Sequence, residues 1–381
     1  MNRLVEACAG AGKTTGLVRE AREAAGRGSG VLLLTYTESN QREIRSALIR
    51  ELGFVPPNVV IKGWYSFLLE DYLRPYWPRH FGGRIEGILL DSSNPHYRNG
   101  RTIPGRASEL DGQLNPACFL TGSRRRAHST FLSKLAREID EQSGGLATER
   151  LGTMFSCVLI DEVQDLVGWD YEILARIVER TGIACYCVGD FRQTVYSTSP
   201  ARKGPRSSEE KLARFLELGF QHEQIVDSWR SAQEICDVSD LVFQSSGRYP
   251  PTRSLTEYRE PDHGNHCGVF AVADEDLADY VAAFRPTILR DSARADTSFA
   301  AGCEVVNIGE AKGRTFDRSL IVPTAKVRRF FGGDIATFDA DETEKARNKL
   351  YVAVTRARFS VAVALGDGAG IPGVGRWTPG G

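Results

Sequence analysis

A chain of 381 residues is long enough for two or three domains, each with its own core. Hydrophobic residues make up 41% and charged residues 25%, an ordinary soluble balance, and no apolar run is long enough to cross a bilayer. The net charge of −1 means that any nucleic-acid site must be a local groove, helped by stacking on aromatics.

Strand-like and helix-like segments alternate along the chain. Leu4–Cys8 is a short apolar run that ends at glycines, and a helical pattern follows from Lys13 to Ala25. Val31–Tyr36 predicts a strand buried on both faces, and Glu38–Leu52 predicts a helix. Val59–Ile61, Cys157–Ile160 and Ile183–Val188 predict further buried strands. Such alternation indicates a parallel sheet with helices on both faces. Between about Asp91 and Ser129 the pattern breaks into a long loop or small insert, with Arg124-Arg125-Arg126 at its end. A helix over Thr130–Gln142 then returns the chain to the sheet.

A second alternating series begins near Gln224. Its strand candidates are Gln224–Val226, Gly268–Val272, Pro286–Leu289, Glu304–Ile308, Ser319–Val322 and Ser360–Ala364. Its helical patterns lie at Ala232–Phe243, Glu275–Phe284 and Glu342–Ala353. The expected division is a first α/β domain over 1–62 and 151–222, an irregular and helical insert over 63–150, and a second α/β domain over 223–365. Residues 366–381, rich in glycine and proline, read as a loose tail.

The N-terminal residues have no signal-peptide shape, so the expected location is cytoplasmic, with no membrane partner. Eight cysteines without a C-x-x-C spacing read as reduced, mostly buried thiols. His263, His266 and Cys267 share one short loop and form only a weak metal signal.

The strongest chemical feature is Ala7-Cys8-Ala9-Gly10-Ala11-Gly12-Lys13-Thr14. It follows a strand and opens a helix, the context of a phosphate loop. Ala9, Gly10, Ala11 and Gly12 would turn backbone N–H groups toward phosphates, with Thr15 completing the cradle at the helix N-terminus. Lys13 is placed to reach the β- and γ-phosphates of ATP, and Thr14 to hold Mg²⁺. Downstream, Cys157–Ile160 leads into Asp161-Glu162-Val163-Gln164-Asp165. Asp161 would hold Mg²⁺ through water, and Glu162 would orient or deprotonate the attacking water. A solvated acidic turn is the bland alternative, and the intact phosphate loop argues against it.

Taken in order, these motifs resemble those of UvrD/Rep-like superfamily 1 DNA helicases, from about Val5 to Leu365. The resemblance adds Thr35-Tyr36-Thr37 with Asn40 and Glu43, then Gly63-Trp64-Tyr65-Ser66-Phe67. It continues through Val188-Gly189-Asp190-Phe191-Arg192-Gln193-Thr194-Val195-Tyr196 and Ser228-Trp229-Arg230-Ser231. It closes with Gly309–Asp317 and Leu350–Arg358. The resemblance implies two RecA-like domains with ATP in the cleft between them. Lys13, Thr14, Asp161, Glu162 and Gln193 would come from the first, and Arg230 and Arg356 from the second as arginine fingers. Trp229 would stack on the adenine. Tyr36, Trp64 and Tyr196 would face unpaired bases, and Lys312 the DNA backbone.

The sequence also departs from that family. The usual glutamine-bearing segment ahead of the phosphate loop is missing, which leaves nucleotide selectivity open. Ser197-Thr198-Ser199-Pro200 replaces a Trp-Arg-Gly-Ala continuation, and Thr315 stands where many relatives carry glutamate. The first insert is reduced, and Arg230 and Glu310 lie too close in sequence for a large second-domain insert. The implied activity is a 3′ to 5′ translocase or helicase on single-stranded or partly duplex DNA. The alternative is a DNA-sensing ATPase that regulates a nuclease partner, as in some phage-defence systems, with little unwinding of its own.

Overall fold

The computed structural model describes residues 1–91, 94–99, 101–195, 203–256, 266–366 and 368–380. The chain divides into two compact units. The described residues within 1–6, 13–189 and 197–223 form one unit, and those within 7–12, 190–196 and 224–381 form the other. Each is built on a six-stranded sheet, so the architecture is α/β with two RecA-like parallel sheets.

The first sheet contains β1 (Arg3–Ala7), β2 (Val31–Thr35), β3 (Val59–Gly63), β4 (Cys157–Ile160), β5 (Ala184–Gly189) and β6 (Gln221–Ile225). Their spatial order is β6-β1-β5-β4-β2-β3. All five residues of β2, Val-Leu-Leu-Leu-Thr, are buried, as expected of a strand covered on both faces. Helix α1 (Lys13–Gly26) buries Leu17, Val18, Ala21 and Ala24. Helix α2 (Glu38–Leu52) starts at Thr37, whose hydroxyl accepts the Asn40 N–H at 3.1 Å. It stops at Gly53, whose φ of +81° suits a residue without Cβ.

The stretch between β3 and β4 is more ordered than the sequence suggests. Trp64–Phe67 is helical and runs into a wide π-type turn over Leu68–Leu73. Helix α3 (Leu132–Gln142) packs on that turn and buries Leu135, Ala136 and Ile139. Helix α4 (Leu146–Met154) follows, then α5 (Asp170–Arg180) beyond β4 and α6 (Ser208–Glu217) beyond β5. Asp140, at 0% exposure, accepts from the Thr148 N–H at 2.9 Å and hydroxyl at 2.8 Å, and from Arg176 at 3.0 Å. That carboxylate ties α3, α4 and α5 together. The described part of the expected loop over 91–129 holds short ladders. Gly87–Leu89 pairs with Arg126–His128, Tyr97–Arg98 with Arg101–Thr102, and Glu109–Leu110 with Gln113–Leu114.

The second unit begins its helices with α7 (Gln233–Leu241), α8 (Leu277–Phe284), α9 (Ala325–Phe331) and α10 (Lys345–Val354). Its strands are β7 (Gly268–Val272), β8 (Thr287–Arg290), β9 (Val305–Asn307), β10 (Phe316–Val322), β11 (Ala357–Ala364) and β12 (Val374–Trp377). They lie in the order β9-β8-β10-β11-β7-β12, every pair parallel. One face packs Ile235, Leu289, Phe330, Val352 and Val363 together with Ala9 and Val195. The other packs Leu277, Tyr280, Ile288, Leu320 and Ala362.

Two expectations need correction. The strand placed at Gln224–Val226 as the start of the second series is β6, an edge strand of the first sheet. The Gln221 N–H bonds the Asn2 carbonyl, and the Cys8 N–H bonds the Ile225 carbonyl, both at 2.9 Å. Residues 366–381 are not simply a loose tail, because β12 pairs with β7 from Val269↔Val374 to Val272↔Trp377. Trp377 also meets the Tyr280 ring edge-on at 5.1 Å.

Candidate nucleotide and nucleic-acid sites

Between β1 and α1 the chain makes a tight glycine turn. Gly10 and Gly12 take φ of +80° and +73°, values that penalise any Cβ. Space forbids one at Gly10 as well. A Cβ there would lie 2.5 Å from Ser228 Oγ and 2.6 Å from Arg230 Cβ. The turn is held by specific bonds: the Ser228 hydroxyl donates to the Ala9 carbonyl at 2.8 Å, the Trp229 N–H to the Gly10 carbonyl at 2.9 Å, and the Ala9 N–H to the Tyr351 hydroxyl at 3.3 Å. Ala11 follows in a turn closed by its N–H to the Cys8 carbonyl at 3.2 Å. Lys13 and Thr14 open α1, with Thr15 exposed beside them.

In the first unit, Asp161 follows β4 and is 4% exposed. Burial and the adjacent Glu162 carboxylate raise its pKa well above the ordinary range, while the charge of Lys13 opposes that rise. Lys13 and Asp161 therefore act on each other electrostatically. Glu162 sits at φ +52°, a left-handed value rare outside glycine, and its carboxylate accepts from the Gln164 amide. The Thr14 hydroxyl donates to Glu43 at 3.3 Å. A hydroxyl and a carboxylate starved of positive charge are hard oxygen donors of the kind Mg²⁺ takes. Thr14 and Asp161 thus fit the ion that the sequence suggests.

The second unit gathers a polar network around Asp190, which is 0% exposed. It accepts from Arg192 Nε at 3.0 Å, Gln193 Nε2 at 2.9 Å and the Tyr351 hydroxyl at 3.1 Å. Arg192 lies over the rings of Tyr249 and Tyr351, at 4.6 and 4.5 Å. Arg356, 1% exposed, donates to Gln193 Oε1 at 3.0 Å and to the Val352 carbonyl at 3.3 Å. Arg230 donates to the Thr355 carbonyl at 3.1 Å. Gln193, Arg230 and Arg356 are thus brought into the unit that carries the glycine turn. Sequence reasoning gives Asp190, Arg192 and Tyr351 no role, because a buried salt bridge and a hydroxyl relay have no local signature. Trp229 is 68% exposed, with an open indole face rather than a core position. Lys312 is half-buried, in a turn closed by its N–H to the Gly309 carbonyl at 3.2 Å.

The residues expected to meet DNA separate. Tyr36 is half-buried; Trp64 is 1% exposed and stacks on it at 6.1 Å and 22°. The expectation of an open Trp64 face is therefore corrected: its ring supports Tyr36 and is closed to a base. Both residues end on Asp170, which accepts from the Tyr36 hydroxyl at 2.6 Å and the Trp64 indole N–H at 2.9 Å. Tyr196 lies outside the described residues.

Other features carry less. Among the described residues no three His, Cys, Asp or Glu side chains are grouped to hold a metal. His263 lies outside the described residues, His266 is stacked on Phe270 and Phe284 at 4.1 and 3.9 Å, and none of the eight cysteines is joined in a disulfide. No helix among the described residues is long and apolar enough to cross a membrane. A cavity of about 490 Å³ opens beyond the ends of β8, β9 and β10, over Ile308, Ile321, Phe338 and Leu350. Two of its three lining lysines are in ion pairs, Lys326 with Asp341 and Lys349 with Asp291.

Fold and site together define an α/β protein with two RecA-like sheets, a glycine turn leading into Lys13, and an acidic pair after β4 of which Asp161 is buried. No family model matches the sequence. Over 120 residues the chain is 28% identical to an ATP-dependent helicase/nuclease subunit from Lactobacillus helveticus (strain DPC 4571), covering 30% of this chain and 10% of that protein. Among solved structures, the PRRSV helicase aligns with a TM-score of 0.44 at 15% identity, over 96% of this chain and 52% of that one. The arterivirus nonstructural protein 10 helicase in complex with DNA aligns at 0.45 and 16%, over 95% and 60%. The chain thus spans a tenth of the curated relative and little more than half of each solved helicase.

Proposed function

We propose that this chain hydrolyses ATP to drive movement along single-stranded DNA, as a 3′ to 5′ translocase of helicase type. The observation that carries the reading is the electrostatic link between Lys13, at the end of the glycine turn, and the buried Asp161, which the half-buried Glu162 adjoins. A cation followed by two carboxylates, one starved of charge, suits a phosphate chain with its magnesium. In this reading Ala9 to Thr15 cradle the phosphates, and Lys13 meets the β- and γ-phosphates. Thr14 and Asp161 hold Mg²⁺, which when bound neutralises charge on the phosphates. Glu162 orients the attacking water and takes its proton. Gln193 is positioned by Asp190 and Arg356 to report on the γ-phosphate, while Arg230 and Arg356 are the arginine fingers. Trp229 offers its exposed indole to the base, Tyr36 its ring to unpaired DNA bases, and Lys312 its ammonium to the strand.

The Lactobacillus relative, part of a helicase/nuclease, favours a second reading, in which the chain is the ATPase component of a nuclease complex and unwinds little by itself. Both readings share the same chemistry. Steady-state ATP hydrolysis, with and without single-stranded DNA, tests what they share. Strong stimulation that is abolished in Lys13→Ala and Glu162→Gln is the expected result. Absence of turnover under both conditions would sink the motor reading for this chain. Strand-displacement assays on 3′-tailed and 5′-tailed duplexes then distinguish a stand-alone translocase from a component of a complex, and fix the direction.

A further inference from the structure

We propose that Asp170 is a positioning residue for single-stranded DNA, the anchor that sets the angle of the Tyr36 ring; this rests on the DNA-motor reading above. Asp170 begins α5 and is 5% exposed. Four donors converge on its two oxygens. The Tyr36 hydroxyl at 2.6 Å and the Val167 N–H at 2.9 Å meet Oδ2, while the Trp64 indole N–H at 2.9 Å and the Ser133 hydroxyl meet Oδ1. These donors come from four separate places: the turn after β2, the turn after β3, helix α3 and the approach to α5 itself.

A carboxylate accepts hydrogen bonds through both oxygens and donates none, so it can satisfy four convergent donors at once. Burying such a charge is costly, and a group needed only to fill space there would be apolar. What the carboxylate accomplishes is geometric. It pins the Tyr36 ring by its hydroxyl and the Trp64 ring by its nitrogen, so the two stack with 22° between their planes. Tyr65 closes a second side of Tyr36, edge-on at 6.2 Å. Tyr36 remains half-buried as a residue rather than fully enclosed, while its hydroxyl is fixed inside on Asp170. Stacking on a base rewards a ring already held at one angle, because an ordered side chain loses less entropy on binding.

The test is a double-mutant cycle on the full chain, read as the oligo(dT) concentration that gives half-maximal ATPase stimulation, with anisotropy of a labelled oligo(dT) as the direct binding measure. Asp170→Asn leaves shape but removes one acceptor, and Tyr36→Phe leaves the ring but removes its anchor. Each is expected to raise the half-saturating concentration by about five- to tenfold, in the range of a weakened base stack, with a much smaller change in the maximal rate. Because both break the same link, the double variant should be about as weak as either single one, well short of their product. Ser133→Ala, which removes a donor that does not touch an aromatic ring, should stay within about twofold. Thermal melts of all four confirm that folded protein is compared; should Asp170→Asn fail to fold, Tyr36→Phe against Ser133→Ala decides the question. Equal effects of those two, multiplying effects in the cycle, or an unchanged Asp170→Asn would overturn the assignment. Wild-type protein that binds no oligo(dT) would overturn the DNA reading itself, and the assignment with it.

Discussion

Asp161 and Asp190 each follow a buried strand of the first sheet, and their surroundings are opposite. Asp190 is saturated, with a guanidinium, an amide and a phenol on its oxygens. Asp161 has a second carboxylate as its neighbour and a raised pKa, with the charge of Lys13 as partial relief. The first is a scaffold whose charge is fully answered, and the second is left short of positive charge. Stability and chemistry are therefore expected to separate between the two positions, since uncompensated charge is costly to a fold and useful to a metal or phosphate site.

The largest expected effects lie on the charge-starved side. Lys13→Ala and Asp161→Asn should each reduce ATP turnover by at least about 100-fold, the usual consequence of removing a preorganised charge from a phosphoryl-transfer site. Urea denaturation of Asp161→Asn without nucleotide should show no loss of stability, and a gain of about 1 kcal/mol accords with removing a poorly solvated charge. A large destabilisation there would erase the contrast.

The saturated side should behave in reverse. Asp190→Asn takes the nearer of two carboxylates from the buried Arg192 guanidinium, leaving Asp240 at 3.7 Å, and breaking such a buried pair costs about 3 kcal/mol of folding stability. A midpoint in urea equal to that of wild type would show that Asp190 is not the scaffold. Gly10→Ala should come next, destabilising by about 1–3 kcal/mol, because its Cβ would need both a positive φ and space held by Ser228 and Arg230. The same melt reads it.

The smallest effect concerns a group outside both networks. Burial and the nearby Arg318 lower the pKa of His266 to about 4. Unfolded chains take up that proton near pH 6.5 and the folded chain does not, so stability should fall as pH drops from about 6.5 toward 4. About 1–2 kcal/mol should be lost by pH 5, and His266→Phe should flatten that slope in urea titrations. Equal slopes in both proteins would assign the acid sensitivity elsewhere.

Much of this frame is legible in the sequence. Runs such as Val31–Thr35 and the amphipathic Glu38–Leu52 reveal themselves, since burial on two faces or on one leaves a periodic trace. The glycine turn and the Asp161–Glu162 pair can be read because their chemistry is local. Trp64 cannot be assigned correctly that way, because an indole in a core and an indole on a surface have the same letter. Asp170 escapes notice for a related reason: its four donors come from Tyr36, Trp64, Ser133 and Val167, most of them far away in sequence. The short ladders between Gly87 and His128 are only two or three residues per strand, too brief for alternation to show.

Strand β12 is hidden because Gly373-Val374-Gly375-Arg376-Trp377 reads as a turn-rich stretch. Its position has a further consequence. It covers the outer backbone of β7, whose Gly-Val-Phe-Ala-Val sequence is apolar and largely buried. Left bare, such an edge is a template for pairing with another copy, the usual seed of aggregation. The cover is only four residues long, and Arg376 points an exposed charge outward from it. A short, charged strand thus closes a sticky edge without offering a new one, so residues 374–377 protect solubility although they carry none of the proposed chemistry.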